Sequence, residues 1–200
     1  MTPGLVAGVD EAGRGPLAGP VVVAAVILPE TYDLPWLDDS KRLTATRRER
    51  LAPQIEMQAL AFVVEFVPVE EIDRVNILQA TLNGMQRAVE KLEPSPRRAM
   101  IDGNRAPRLG CEVETVIGGD GLVASISAAS VLAKVCRDRF MLSMHERYPA
   151  YGFDRHKGFP SARHRDRLTS LGPGPILRQS FAPVRWALRE ALGNLSAQCG

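Results

Sequence analysis

The chain has 200 residues, 45% of them hydrophobic, and a formal net charge of +2. That is enough apolar material for one domain with a buried core, and it excludes both a disordered chain and a uniformly basic nucleic-acid coat. Only four of the 25 basic residues are lysines, so phosphate contacts fall mainly to arginine, whose planar fork suits them.

Cys111, Cys136 and Cys199 are far apart and have neither metal-ligand nor disulfide spacing. Reduced thiols and a cytoplasmic setting are expected. The N-terminus has no basic, apolar leader. The longest apolar run, 21–28, is far short of the ~20 residues that span a bilayer.

In chain order, residues 5–9 read as a short β-prone segment ending on Asp10, and 21–28 as a buried strand. Residues 29–43 read as a loop. Thr44 caps a helix over about 45–57, with Pro53 straining its interior. A strand follows over 60–67. Val75, Leu78, Leu82, Met85, Val89 and Leu92 make one apolar helix face, stopped by Pro94 and Pro96. Two short strands come next, 99–101 ending on Asp102, and 113–117 ending near Asp120. A long helix then carries an apolar stripe (Leu122, Ile126, Ala129, Ala133, Cys136, Phe140, Met144) and a polar one (Ser127, Ser130, Lys134, Arg137). The polar stripe reads equally as a solvated face. From Tyr148 onward the chain is rich in Gly, Pro and Arg, with short helices near 161–170 and 183–192. The order of elements predicts an α/β domain with a mixed sheet and a C-terminal helical appendage packed on it.

Three of these strands run into an aspartate: Asp10, Asp102 and Asp120, with Glu11 directly after the first. Singly, each aspartate is as well read as a helix cap or turn former. As a set at neighbouring strand ends, they would repel one another without a cation, and hard oxygen ligands suit Mg²⁺ or Mn²⁺. Side chains alternate along a strand, so Asp10 and Glu11 share a site only if the strand ends there. The turn Gly13-Arg14-Gly15 bares the backbone on both sides of a guanidinium, which permits close approach to a sugar or phosphate. It lacks the spacing of a P-loop or a dinucleotide fingerprint, and alone it reads equally as a tight structural turn.

The run from Asp10 to Val21 (Asp-Glu-Ala-Gly-Arg-Gly-Pro-Leu-Ala-Gly-Pro-Val) resembles the opening motif of the ribonuclease HII family, the prokaryotic type 2 ribonucleases H. The likeness continues through Asp39-Ser40-Lys41-Arg42-Leu43, Ile101-Asp102-Gly103-Asn104, Gly119-Asp120 with Ser125 to Ser130 and Ala133-Lys134-Val135, Tyr151-Gly152-Phe153 with His156-Lys157-Gly158, and Arg178 to Val184. It covers about residues 5–190.

This resemblance implies a ribonuclease H-like, five-stranded mixed sheet flanked by helices. Residues 1–147 would form the catalytic part and 148–200 the substrate-binding appendage. It implies one or two Mg²⁺ or Mn²⁺ ions on Asp10, Glu11, Asp102 and Asp120. The implied substrates are RNA–DNA hybrids and DNA duplexes containing single ribonucleotides, cut on the 5′ side to leave 5′-phosphate and 3′-hydroxyl ends. Gly13, Arg14 and Gly15 would read the 2′-hydroxyl, the group that separates RNA from DNA. Arg14, Ser40, Lys41 and Lys134 would meet the backbone. Where the family carries a tyrosine after His-Lys-Gly, this chain has Phe159. The ring that stacks on the sugar is kept, and a hydroxyl hydrogen bond worth ~0.5–1.5 kcal/mol is lost. His156 is read as a loop-structuring residue, and the chain is expected to act as a monomer.

Three alternatives stand beside this reading. The type 3 family normally has an extra N-terminal domain, whereas the acidic motif here starts at residue 10. A non-catalytic hybrid-binding module would not need all four carboxylates. A general DNA nuclease would not need the glycine–arginine–glycine turn.

Overall fold

The structure, a computed structural model, describes residues 4–37, 43–172, 174 and 176–189. Its centre is strand β2 (Val21–Ile27), a run of seven apolar residues buried along its whole length. Only a strand covered on both faces tolerates such a sequence. Val21, Val23, Ala25 and Ile27 pack into one core. Val22, Ala24 and Val26 pack into the other. Fully burying one such large aliphatic side chain contributes ~1.5–3 kcal/mol.

Around β2 lie β1 (Val6–Ala12), β3 (Ala61–Val67), β4 (Arg98–Asp102) and β5 (Glu112–Val116), in the order β3-β2-β1-β4-β5. Strand β2 runs antiparallel to both β1 and β3, and β4 and β5 run parallel to β1. The expected five-stranded mixed α/β sheet is therefore present. Helices α1 (Ala45–Gln58) and α4 (Ala124–Arg147) cover one face. Helices α2 (Val69–Val75) and α3 (Ile77–Glu90) cover the other. Thr44 caps α1 by accepting from the Arg47 amide, and Pro53 is accommodated inside that helix.

Three sequence expectations change. The single helix predicted through Val75 to Leu92 is two helices. Asn76 takes a left-handed φ of 72° between them and caps α3 through the Leu78 and Gln79 amides. Asparagine tolerates that conformation and supplies the cap in one residue, while the apolar period runs on across the break. Strand β1 does not stop at Asp10 but continues through Glu11 to Ala12, so a strand end is not what lets the two carboxylates share a site; they lie near enough for the Glu11 charge to raise the Asp10 carboxyl. Finally, the polar stripe of α4 is not a solvated face. Ser127 and Arg137 are buried, whereas Leu122 lies outside the helix and is exposed. Helix α4 is wedged among the sheet, α1 and the C-terminal segment, so little of its circumference is left for water.

Helix α4 approaches β1 backbone to backbone. A Cβ at Gly8 would stand 2.1 Å from the Ser125 carbonyl carbon, so only glycine permits this crossing. A third apolar cluster joins Phe153, Leu168, Leu177 and Val184 to Leu17, Ala18, Met141 and Met144. It seats α5 (Phe153–His156), α6 (Ala162–Leu171) and a helix over 182–189 on the rest of the chain. Segment 17–19 is held between these parts. Leu17 N–H donates to Gly158 O and Gly19 N–H to Ile176 O, both at 2.8 Å, and Arg178 N–H donates to Leu17 O at 2.9 Å.

Candidate functional site

Strands β1 and β4 are in register with Val9 opposite Ile101. One residue further, both parallel strands arrive at a carboxylate, Asp10 and Asp102. Asp10 is only 6% exposed. Its Oδ1 accepts the Glu11 amide N–H at 2.7 Å, and the nearby Ser130 side chain of α4 favours its charged form. Burial pushes the Asp10 carboxyl well above the ordinary carboxylate range, and the charges of Glu11 and Asp102 push it further. Burial raises Glu11 too, against the opposing Arg14 guanidinium. Asp120 is buried in a 3-10 turn, Gly119–Gly121, between β5 and α4. The Ser127 hydroxyl donates to its carbonyl. A Cβ at Gly119 would stand 3.4 Å from Asp102 Oδ1, so this turn abuts Asp102.

Glu11 Oε2 and Asp102 Oδ1 are buried without a hydrogen-bond partner among the described residues. A buried carboxylate oxygen left unpaired costs free energy that a cation recovers. The donor set is all oxygen, the chemistry of Mg²⁺ or Mn²⁺. The residues therefore fit a divalent cation. Among the described residues no group of three or more Asp, Glu, His or Cys side chains is arranged to hold a metal ion as it stands. The carboxylates border one edge of the sheet without being drawn together.

Immediately beyond lies a cleft of about 420 Å³, lined by Gly13, Arg14, Gly15, Pro16, Lys134 and Phe159, with Arg137, Arg155, His156 and Lys157. The structure thus brings the candidate turn, Lys134 and Phe159 to one place. Arg14 links cleft and carboxylates, its Nη1 lying 3.3 Å from Glu11 Oε1. The Phe159 ring sits over the turn, 60% exposed. A Cβ at Gly15 would meet its Cε2 at 3.6 Å. Lys134 lines the cleft while its ammonium donates to Asp138 Oδ1 at 2.7 Å. Ser40 and Lys41 lie outside the described residues. A separate apolar groove of about 200 Å³ under Phe66 and Phe140 carries none of the candidate side chains.

Two histidines hold the Phe159 loop. His156 Nδ1 accepts the Gly158 amide at 3.1 Å, which leaves its Nε2 to donate to Tyr151 O at 3.0 Å. His164 Nδ1 lies 3.0 Å from Phe159 O, and Phe159 N–H donates to His156 O at 2.8 Å. The two rings stack with centroids 4.3 Å apart. Burial lowers both, His164 to about 4. His156 therefore has the structural role read from the sequence. His164 was not singled out, because nothing in its spacing distinguishes it from a surface helix residue.

The sequence gives Arg178 no role of its own and leaves open whether the stripe that carries Arg137 faces water. Arg178 is fully buried and donates to the carbonyls of Gly13, Arg14, Pro16 and Gly19 at 2.6–2.9 Å. Arg137 donates to Ala18 O at 3.1 Å and Pro20 O at 3.2 Å. Burial lowers these guanidinium groups to about 9 and about 10. The only sequence signal for Arg178 was its place in the Arg178-Gln179-Ser180-Phe181 motif.

A model of the ribonuclease HII family matches residues 7–188. The ribonuclease HII of Bordetella avium is 57% identical over 180 residues, covering 90% of this chain and 89% of that protein. That of Polaromonas sp. is 55% identical over 188 residues, covering 94% of each. Among solved structures, ribonuclease H2 from Pyrococcus horikoshii matches with a TM-score of 0.80 at 26% identity, over 92% of this chain and 97% of that one. By sequence along almost its whole length, and by fold, the chain belongs to the ribonuclease HII family.

Proposed function

We propose that the protein is a metal-dependent endoribonuclease that hydrolyses the RNA strand of RNA–DNA hybrids and cuts 5′ of single ribonucleotides embedded in DNA, leaving 5′-phosphate and 3′-hydroxyl ends. Family membership supports the ribonuclease H activity. One observation carries the site assignment. Asp10 and Asp102 arrive side by side at the β1–β4 edge, with partnerless buried oxygens on Glu11 and Asp102, next to the cleft that holds Gly13, Arg14, Gly15 and Phe159.

Asp10, Glu11, Asp102 and Asp120 would hold one or two Mg²⁺ or Mn²⁺ ions. Bound there, a divalent ion supplies activation of the attacking water and neutralises charge on the phosphoryl oxygens. The residues of the chain do the rest. The Gly13–Gly15 backbone meets the 2′-hydroxyl. The Phe159 ring stacks on the adjoining sugar. Arg14 and Lys134, with Ser40 and Lys41 by motif position, hold phosphates. Residues 148–200 form the part that presents Phe159 to the catalytic part, 1–147. The protein works as a monomer in the cytoplasm. Among the described residues no helix is long and apolar enough to cross a membrane.

The test is one cleavage assay on all-DNA, single-ribonucleotide and long-hybrid duplexes, each with Mg²⁺ and with Mn²⁺. Cleavage confined to ribonucleotide-containing duplexes, and only with metal, is expected. Cleavage of the all-DNA duplex at a comparable rate overturns the reading, as does salt-sensitive binding without products.

A further inference from the structure

We infer that Arg178, braced by Asp73, is the positioning residue for ribonucleotide recognition: it sets the conformation in which the Gly13–Gly15 backbone faces the substrate. The inference rests on the proposed role of that turn in reading the 2′-hydroxyl.

Segment 13–19 has three glycines, of which Gly13 and Gly19 take left-handed φ values of 99° and 80°. Such a segment has many conformations to lose, and nothing in its own sequence selects one. Backbone bonds and Arg137 hold its 17–20 end, and one side chain, Arg178, reaches both ends of it. The Arg178 guanidinium gathers the carbonyls of Gly13, Arg14 and Pro16 with its terminal nitrogens and that of Gly19 with Nε. The consequence follows from peptide geometry. In a trans peptide the C=O and the following N–H point in opposite directions. Drawing the Gly13 and Arg14 carbonyls inward turns the N–H groups of Arg14 and Gly15 outward, toward the side where the Phe159 ring borders Gly15. Those N–H groups are donors fitted to a hydroxyl oxygen.

Arg178 has no carboxylate in salt-bridge contact among the described residues. It is surrounded by carbonyl dipoles and by the Phe181 ring, 5.2 Å from its Cζ. Asp73 acts on Arg178 as an opposite charge but makes no ion-pair contact with it; a charge buried in this way is a costly way to fill space, and an apolar side chain would do that better. Organising four carbonyls at once is what an arginine does here and an apolar residue does not.

Arg178 is itself pinned. Asp73, in α2 on the far side of the sheet, accepts the Gln179 and Ser180 amides, each at 2.9 Å, and the Ser180 hydroxyl at 2.6 Å. A chain of contacts thus runs from α2 through the 178–181 turn to the glycine–arginine–glycine backbone. It gives the Arg178-Gln179-Ser180-Phe181 motif a task remote in sequence from the residues it serves.

The readout is a ratio: affinity for a DNA duplex carrying one ribonucleotide divided by affinity for the same duplex all-deoxy, measured by fluorescence anisotropy in EDTA. In the parent the ratio exceeds one. In Arg178→Gln it falls toward one, on the order of tenfold, as expected for losing one or two oriented hydrogen bonds. Arg178→Lys, with one nitrogen for four carbonyls, recovers only part. Asp73→Ala, at a residue that does not line the cleft, lowers the ratio in the same direction. A general loss of structure weakens both affinities together and leaves the ratio unchanged. A parental ratio above one that Arg178→Gln keeps overturns the role of Arg178, and if that variant does not fold, an unchanged ratio in Asp73→Ala does so. A parental ratio of one overturns the 2′-hydroxyl reading instead.

Discussion

Gly13 and Arg137 meet with no room for a methyl group between them: a Cβ at Gly13 would stand 2.0 Å from Arg137 Nε. Gly13 also takes a φ of 99°, where an L side chain is strained. At Gly15 the same added atom reaches only ordinary contact, 3.6 Å from Phe159. Gly13→Ala is therefore expected to cost roughly 2–4 kcal/mol of stability from strain and overpacking, and Gly15→Ala less than about 1 kcal/mol. Urea unfolding midpoints of the two variants measure the difference. Equal losses would contradict the packing described for the turn.

The buried carboxylates set a second expectation, in which stability and activity move oppositely. Without metal, Asp10 is held in a site that disfavours its charge, through burial and through Glu11 and Asp102. Asp102→Asn removes one of the repelling charges. At neutral pH and in EDTA this variant is expected to gain on the order of 1 kcal/mol, about 2–4 °C in unfolding temperature. Its turnover should fall by roughly two orders of magnitude or more, since it loses part of the cation's seat, while duplex binding changes little. Thermal unfolding with and without Mg²⁺ checks the first half, and the parent should gain more from metal than the variant. Cleavage by Asp102→Asn at the parental rate rules out this site.

Acid should loosen the Phe159 loop through His164. Burial holds this histidine at about 4, below its ordinary 6.5. A depressed folded value means the unfolded chain binds the proton first. The contribution of His164 to stability is then complete above pH 6.5 and drains away as pH falls toward 4, by on the order of 2–3 kcal/mol. His156, stacked on it and also lowered by burial, adds in the same direction. The unfolding temperature of the parent should drop between pH 7 and pH 5, and the drop should be smaller in His164→Asn. Parallel pH profiles for the two proteins would assign the acid sensitivity elsewhere.

Phe159 is 60% exposed, so its removal should weaken substrate binding without weakening the fold. Stacking an aromatic ring on a nucleotide contributes about 1–3 kcal/mol. Phe159→Ala is expected to lose at least tenfold in kcat/KM on a single-ribonucleotide duplex, a loss of about 1.4 kcal/mol or more. Its unfolding temperature should match the parent. Phe159→Tyr restores the ring and adds a hydroxyl, and should cleave at least as well as the parent. A normal rate for the alanine variant removes the ring from substrate contact.

Short-range patterns in the chain were sufficient for much of this description. The unbroken apolar run of β2 marked a strand buried on both faces, and Thr44 marked the start of α1. The motif from Asp10 to Val21 carried the family and two of the four carboxylates, and the segments around Asp102 and Asp120 carried the other two. The α2–α3 break escaped because Asn76 interrupts the backbone without interrupting the apolar period. The surroundings of Arg137 stayed open because a helical stripe records which side chains share a face, not what that face will meet.

The sequence by itself marked the residues proposed to carry the chemistry: the acidic pair Asp10–Glu11, Asp102 and Asp120, and the glycine–arginine–glycine turn. These are local facts, held in residue identity and close spacing. Tertiary structure decided how they are put to use. The β1–β4 register brings Asp10 beside Asp102. Stacked His156 and His164 fix the loop that sets Phe159 against Gly15. Arg178, 165 residues from Gly13 along the chain, holds the turn in one conformation. The physical reason is that a hydrogen bond or a strand register between distant segments leaves no periodic mark on either of them. It exists only once both faces of the sheet are covered and residues 176–189 pack onto segment 17–19.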